Sequence, residues 1–138
     1  MPVRYGSDLD EHHAVRNSAG LFDISHMAEI TILGDAGQFL DYAVVSKVSA
    51  LADGRAKYTM ICNEDGGVID DLIVYRLDAQ DYLIIANASN RQAVVKALRE
   101  RSAGFDVEIR DISDEYSLLA FQGPKSAEIL QALITPDY

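Results

Sequence analysis

The stretch GGVIDDLIVYR, Gly66 to Arg76, decides how this chain folds. Val68, Ile69, Leu72, Ile73 and Val74 make a run with almost no polar alternation, the pattern of a strand covered on both faces. Asp70 and Asp71 sit inside it. An ionised carboxylate buried without a partner is costly enough that the group neutralises instead, so the pair needs a reason. Successive strand side chains point to opposite faces. Asp71 therefore shares a face with Ile69, Ile73 and Tyr75, and Asp70 shares the other with Val68, Leu72, Val74 and Arg76.

The flanking segments set the pairing. AKYTMICN, from Ala56, precedes this strand across the NEDGGV turn, and YLIIAN, from Tyr82, follows it across LDAQD. Short turns between successive strands imply antiparallel hairpins. In the first of these strands Ala56, Tyr58, Met60 and Cys62 form one face, expected to be enclosed. Arg55, Lys57, Thr59 and Ile61 form the other, expected to be partly wet. Farther out, Ser7 with Asp10 near the capping-box position predicts a helix through DLDEHHAVRNSA that ends at Gly20. LFDISHM leads into a strand, AEITILG, and AGQFLDYAVV reads as a helix with Phe39, Leu40 and Ala43 on one face. Ser89 is placed to cap an amphipathic helix whose apolar stripe is Ala93, Val94, Ala97 and Leu98. FDVEIRDI and YSLLAFQ read as two more strands, and Gly123-Pro124 opens a last helix, KSAEILQALI. The order predicts an α+β fold, a largely antiparallel sheet with helices packed on one side.

Bulk properties narrow the function. With 138 residues and 49% hydrophobic side chains, the chain has the makings of one globular body with a real core. A net charge of −10, with the basic residues scattered, argues against nucleic acid as a partner. The densest basic group, KALRER from Lys96, reads instead as a helix face and last turn. The single cysteine, Cys62, excludes an internal disulfide and a multi-cysteine metal site, and it suits a reduced, cytoplasmic setting. No apolar run approaches a membrane span, so no membrane role is expected.

Among candidate residues, Asp70 follows a Gly-Gly turn and suits a turn residue that bonds nearby amides, with Arg76 on its face as an ion-pair partner. Asp71 lies deeper, beside a tyrosine. A carboxylate in an apolar, aromatic-lined pocket is a site candidate, and a structural role is the alternative on these residues alone. Asn87 closes an apolar strand and reads either as a turn residue or as part of a site. His12 and His13, adjacent on a helix, face different directions and make no metal pair. His26 reads as a residue that bonds the turn, or else one that lines a pocket, and Cys62 as a small core residue.

At this point the blocks together resemble a known family. DEHHAVRNSAGLFDISHM (Asp10 to Met27), CNEDGGVIDDLIVYR (Cys62 to Arg76), IIANASN (Ile84 to Asn90) and LLAFQGPKS (Leu118 to Ser126) are similar, in the same order, to the glycine cleavage system T-protein family of aminomethyltransferases. The resemblance implies transfer of a one-carbon unit from an aminomethyl-lipoyl group on H-protein to tetrahydrofolate, with release of ammonia. The family's key aspartate corresponds to Asp71, the residue that strand alternation also picks out. Met27, Tyr58, Tyr75, Ile85 and Asn87 match positions that line the family's folate pocket. No metal is implied.

The family is longer and has three domains. The resemblance therefore implies that 1–138 is an incomplete N-terminal part. In it, 1–27 belongs to a first domain completed by further chain, and 28–138 forms the main α+β domain. Met1 falls near an internal Met-Pro of the family pattern. Incomplete packing of the N-terminal helix would expose apolar surface and favour self-association. Two other readings compete. One is another folate-dependent one-carbon enzyme on the same scaffold, such as a sarcosine or dimethylglycine dehydrogenase folate domain or a demethylase. The other is a non-catalytic folate-binding module. A third branch, the folate-binding proteins of iron–sulfur maintenance, carries a Lys-Gly-Cys type signature that is not found here.

Overall fold

A computed structural model describes residues 3–134; Met1 lies outside them. The described residues form two units, 3–24 with 118–134, and Ser25–Ser117. The sequence reading carried 28–138 as one body. The contacts instead group 118–134 with the N-terminal residues.

In the smaller unit, α1 (Asp8–Asn17) starts as its cap predicts, with the Ser7 hydroxyl accepting from the Asp10 N–H at 3.4 Å. Glu11, one residue past the expected box position, reaches back to the N–H groups of Tyr5 and Gly6 at 2.8 and 2.7 Å. The helix stops at Asn17, short of Gly20, because Gly20 already opens a strand. β1 (Gly20–Asp23) was expected as a connector. It pairs antiparallel with β7 (Leu119–Gln122), from Gly20 opposite Gln122 to Asp23 opposite Leu119. α4 (Ser126–Leu133) begins after Lys125 rather than at Gly123-Pro124. Gly123 has φ 134°, and a Cβ there would overlap Ser18 O and lie 2.7 Å from Ala19 Cα and 2.8 Å from Val15 O. Only glycine lets the chain pass so close to the end of α1. The Lys125 N–H then bonds Ser18 O at 2.9 Å. Neither helix buries a residue, and Leu9, Leu21, Leu119 and Leu133 are exposed.

The larger unit is a five-stranded sheet in the order β3-β4-β5-β2-β6, with every neighbouring pair antiparallel. The strands are β2 (Ala28–Gly34), β3 (Arg55–Cys62), β4 (Val68–Arg76), β5 (Asp81–Ala86) and β6 (Val107–Asp111). Two helices, α2 (Ala36–Ala43) and α3 (Arg91–Arg101), accompany it. Phe39, Leu40 and Ala43 of α2 and Val94, Val95, Ala97 and Leu98 of α3 pack in one core with Ile30, Ile32, Ile61, Leu72, Val74 and Ile84. Each large aliphatic so buried stabilises the fold by roughly 1.5–3 kcal/mol. Arg101 pins this layer by donating to the carbonyls of Ala43, at 2.5 Å, and Cys62.

Three local expectations are corrected. A 3-10 turn over Ala88–Asn90 precedes α3, and Asn90 rather than Ser89 occupies its N-cap. The α3 stripe holds Val95 in place of Ala93, which is exposed. The enclosed face of β3 is the one with Thr59 and Ile61, whereas Tyr58 is 62% and Met60 39% exposed. The helices cover the Asp70 face of the sheet; the Asp71 face is open over β3 and β4, while Glu29 and Ile85 on it are buried.

Candidate functional site on the open sheet face

The ladder aligns the open face in rows. Tyr58 of β3 stands opposite Ile73 of β4, Ile73 opposite Ile85 of β5, and Ile85 opposite Glu29 of β2. One row along, Met60 stands opposite Asp71; in the other direction, Ala56 is opposite Tyr75 and Tyr75 opposite Leu83. Tyr58, Asp71, Tyr75 and Ile85 therefore share one surface. Met27 and Asn87, both half-buried, adjoin the facing ends of β2 and β5. Alternation groups Ile73 with Asp71 and Met60 with Tyr58, but the sequence reading does not count Met60, Ile73 or Leu83 among the site residues. Period-two alternation combined with the hairpin register would have found them.

The two aspartates have separate explanations. Asp70 is the buried one, 2% exposed. Its carboxylate accepts from the Asn87 N–H at 2.9 Å, Asn87 Nδ2 at 3.0 Å and Asn90 Nδ2 at 2.5 Å. These donors supply the partners a buried carboxylate requires. Asp70 thus anchors the Asn87–Asn90 segment rather than the Gly-Gly turn. That turn is held by Asn63, whose side-chain oxygen accepts from the Gly67 N–H at 2.6 Å. Nor does Asp70 pair with Arg76, which bonds Asp53 at 2.7 Å and the carbonyls of Ser49 and Leu51.

Asp71 is exposed. Its carboxylate accepts from the Tyr58 hydroxyl and from Asn87 Nδ2 at 3.0 Å. The Tyr58 hydrogen bond, helped by Asn87, holds the Asp71 carboxyl below its ordinary range against partial desolvation. The same bond, with lesser help from desolvation and the Asp71 charge, pushes the Tyr58 phenol up. A carboxylate held ionised in this way is a weak base near neutral pH. It suits accepting hydrogen bonds and stabilising a nearby cation. Around it, Tyr58, Tyr75, Met60 and Ile73 offer a surface on which a flat aromatic ligand can lie, whereas Ile85 is buried. The enclosed pocket expected around Asp71 is not formed by this unit. A cleft of ≈ 620 Å³, lined by residues such as Tyr42, Glu64 and Arg101, includes none of the six expected site residues.

Known proteins give this surface a context. The family model described as the GCVT N-terminal domain matches residues 1–138. The chain belongs to the GCVT N-terminal domain family. This GCVT chain is 57% identical over 138 residues to an aminomethyltransferase of Streptomyces coelicolor, covering 99% of the chain and 37% of that relative. It is 53% identical over 135 residues to an aminomethyltransferase of Corynebacterium jeikeium, covering 97% and 35%. It thus spans little more than a third of the curated relatives it matches. Among solved structures, glycine cleavage system aminomethyltransferase T from Bartonella henselae superposes with a TM-score of 0.86 at 40% identity, over 94% of this chain and 36% of that one. A heterotetrameric sarcosine oxidase from Corynebacterium sp. U-96 matches with a TM-score of 0.59 at 14% identity, over 90% and 61%, a likeness of fold alone.

Proposed function

We propose that this chain carries the folate-facing part of a tetrahydrofolate-dependent aminomethyltransferase of glycine cleavage. The observation that carries the reading is the Asp71 carboxylate, held ionised by Tyr58 and Asn87 on an open aromatic face, in a member of this family. On this reading a reduced pterin lies against Tyr58, Tyr75, Met27 and Ile85, and Asp71 and Asn87 engage its polar edge. Two folate N–H nitrogens take the aminomethyl carbon in place of its sulfur and its nitrogen: both the carbon–sulfur and the carbon–nitrogen bond break, the two folate protons leave with the thiol and the ammonia, and positive charge develops at the reacting centre on the way. A fixed carboxylate lowers the energy of that state. The carbon donor is the aminomethyl-lipoyl group of H-protein, and the leaving nitrogen departs as ammonia. The setting is cytoplasmic. Among the described residues, no helix is long and apolar enough to cross a membrane. The 1–138 segment is then one part of a longer catalytic unit, with further chain supplying the rest of the pocket wall.

The test is calorimetric titration of the purified chain with tetrahydrofolate, beside Asp71→Ala and Tyr58→Ala. Saturable binding that both variants weaken at least tenfold is the expected result. A folded chain that binds no folate would sink the reading. A second reading, folate binding without turnover, fits the open face around Asp71, which the Ser25–Ser117 unit does not enclose. Aminomethyl transfer with the remainder of a relative supplied in trans separates the two. Transfer from methylamine donors instead of aminomethyl-lipoyl would point to the demethylase or dehydrogenase class.

A further inference from the structure

We infer that Asp70 is a positioning residue: from the buried face of β4 it fixes the orientation of the Asn87 side-chain amide, and through it the donor that Asp71 receives on the open face. Asn87 Nδ2 lies 3.0 Å from Asp70 Oδ1, 3.0 Å from Asp71 Oδ1 and 3.1 Å from the Asp71 carbonyl oxygen. All three are acceptors, so the NH2 end must face them and the amide oxygen must turn away. Asp71 alone would not set this, because it is exposed and already takes the Tyr58 hydroxyl. Asp70 is buried and clamps the segment a second and third time, through the Asn87 N–H at 2.9 Å and Asn90 Nδ2 at 2.5 Å. The adjacent aspartates therefore act as a unit from opposite faces of one strand. The inner one aims an amide and the outer one uses it. With its NH2 committed, Asn87 has only an acceptor left for a ligand, so the matching ligand edge carries an N–H donor. That last step rests on the folate reading; the orientation of Asn87 does not.

The experiment follows the Asp71 carboxyl carbon through a pH titration by NMR in the unmutated chain, in Asp70→Asn and in Asn90→Ala. The charged or titratable groups around Asp71 are the Tyr58 phenol from β3, Asp70 beside it on β4, and Glu29 across the sheet on β2. Asp70→Asn leaves one acceptor oxygen where two are used, so its NH2 group opposes either the Asn87 N–H or the Asn87 side-chain NH2, and the clamp that fixes the amide is broken. Asp71 then loses a donor, and its midpoint rises by on the order of 0.5–1 pH unit. A purely electrostatic role for Asp70 gives the opposite sign, because removing a like charge lowers the Asp71 midpoint. Asn90→Ala lowers stability but leaves the Asp71 midpoint in place. A folded Asp70→Asn chain whose Asp71 midpoint falls or stays still overturns the inference, as does an equal rise in Asn90→Ala. If Asp70→Asn does not fold, the unmutated chain still decides: the Asn87 side-chain NH2 pair should show slowed rotation and move as Asp71 titrates. A freely rotating pair, indifferent to Asp71, overturns the assignment. Tetrahydrofolate affinity, measured in parallel, should drop about tenfold in Asp70→Asn. Absence of binding in the unmutated chain would instead refute the folate reading and leave the positioning result standing.

Discussion

The Tyr58 hydroxyl on β3 donates to the Asp71 carboxylate on β4, diagonally across the outermost ladder of the sheet. This bond couples an acid held low to a phenol held high. Tyr58→Phe should therefore raise the Asp71 midpoint toward the ordinary carboxylate value of about 3.9. The sign for stability follows from linkage. The folded chain holds the Asp71 proton less tightly than the unfolded chain does. The stabilisation is thus present above the unfolded midpoint and lost as pH falls through the folded one. Tyr58→Phe should flatten that acid limb, read from urea melts between pH 2 and 6. An unchanged Asp71 midpoint would show that the bond has no weight in solution.

Glu29 presents the opposite case. It is 4% exposed, both of its carboxylate oxygens are buried, and neither has a hydrogen-bond partner. Desolvation pushes its pKa up, with the Arg91 charge opposing. The folded chain keeps this proton to higher pH than the unfolded chain, so stability falls as pH rises from the unfolded value through the raised one. Glu29→Gln removes that slope. It should stabilise the chain by about 1 kcal/mol at pH 7 and by less at pH 4. Equal effects at both pH values would contradict the burial of an ionisable group here.

The two aspartates should separate cleanly by stability. Asp70→Ala strands donors from Asn87 and Asn90 in the interior and should cost about 2–4 kcal/mol. Asp71→Ala removes only an exposed side chain and its bonds to Tyr58 and Asn87, and should lower the denaturation midpoint far less than Asp70→Ala while weakening folate binding. Chemical denaturation and calorimetry on the same samples check both halves. A pair of variants with matching stability losses would argue against the assignment of the buried role to Asp70.

Gly123→Ala should unfasten the smaller unit. Its φ of 134° and the closeness of Ser18, Ala19 and Val15 leave no room for a methyl group. The cost should exceed about 1 kcal/mol. Amide exchange should speed up in β1 and β7, while the protection of β2 to β6 stays as it was. Uniform protection in both units would mean that the close approach relaxes without penalty.

Much of this was legible in the residues. The hairpins β3-β4-β5 follow from short turns between apolar runs, and the buried residues Phe39, Leu40 and Ala43 follow from helical spacing. Strand β1 was not legible, because a four-residue strand carries too little pattern without its partner β7, about a hundred residues on. The Asp70 network was equally hidden, since its donors come from 17 and 20 residues away.

Alternation alone placed Asp70 and Asp71 on opposite faces of one strand, because the period of a strand is local geometry. It also grouped Asp71 with Tyr75 and Ile73, and the motif blocks tied the chain to its family. Which face was buried lay outside its reach. Both faces of β4 are rich in apolar side chains, with Val68, Leu72 and Val74 on one and Ile69, Ile73 and Tyr75 on the other. Only the packing of α2 and α3 on the side of Leu72 and Val74 broke that tie, and at the bulged end of the strand Val68 is exposed while Ile69 packs on the core. The helix packing turned Asp70 into an interior anchor and left Asp71 in the open, where a ligand can meet it.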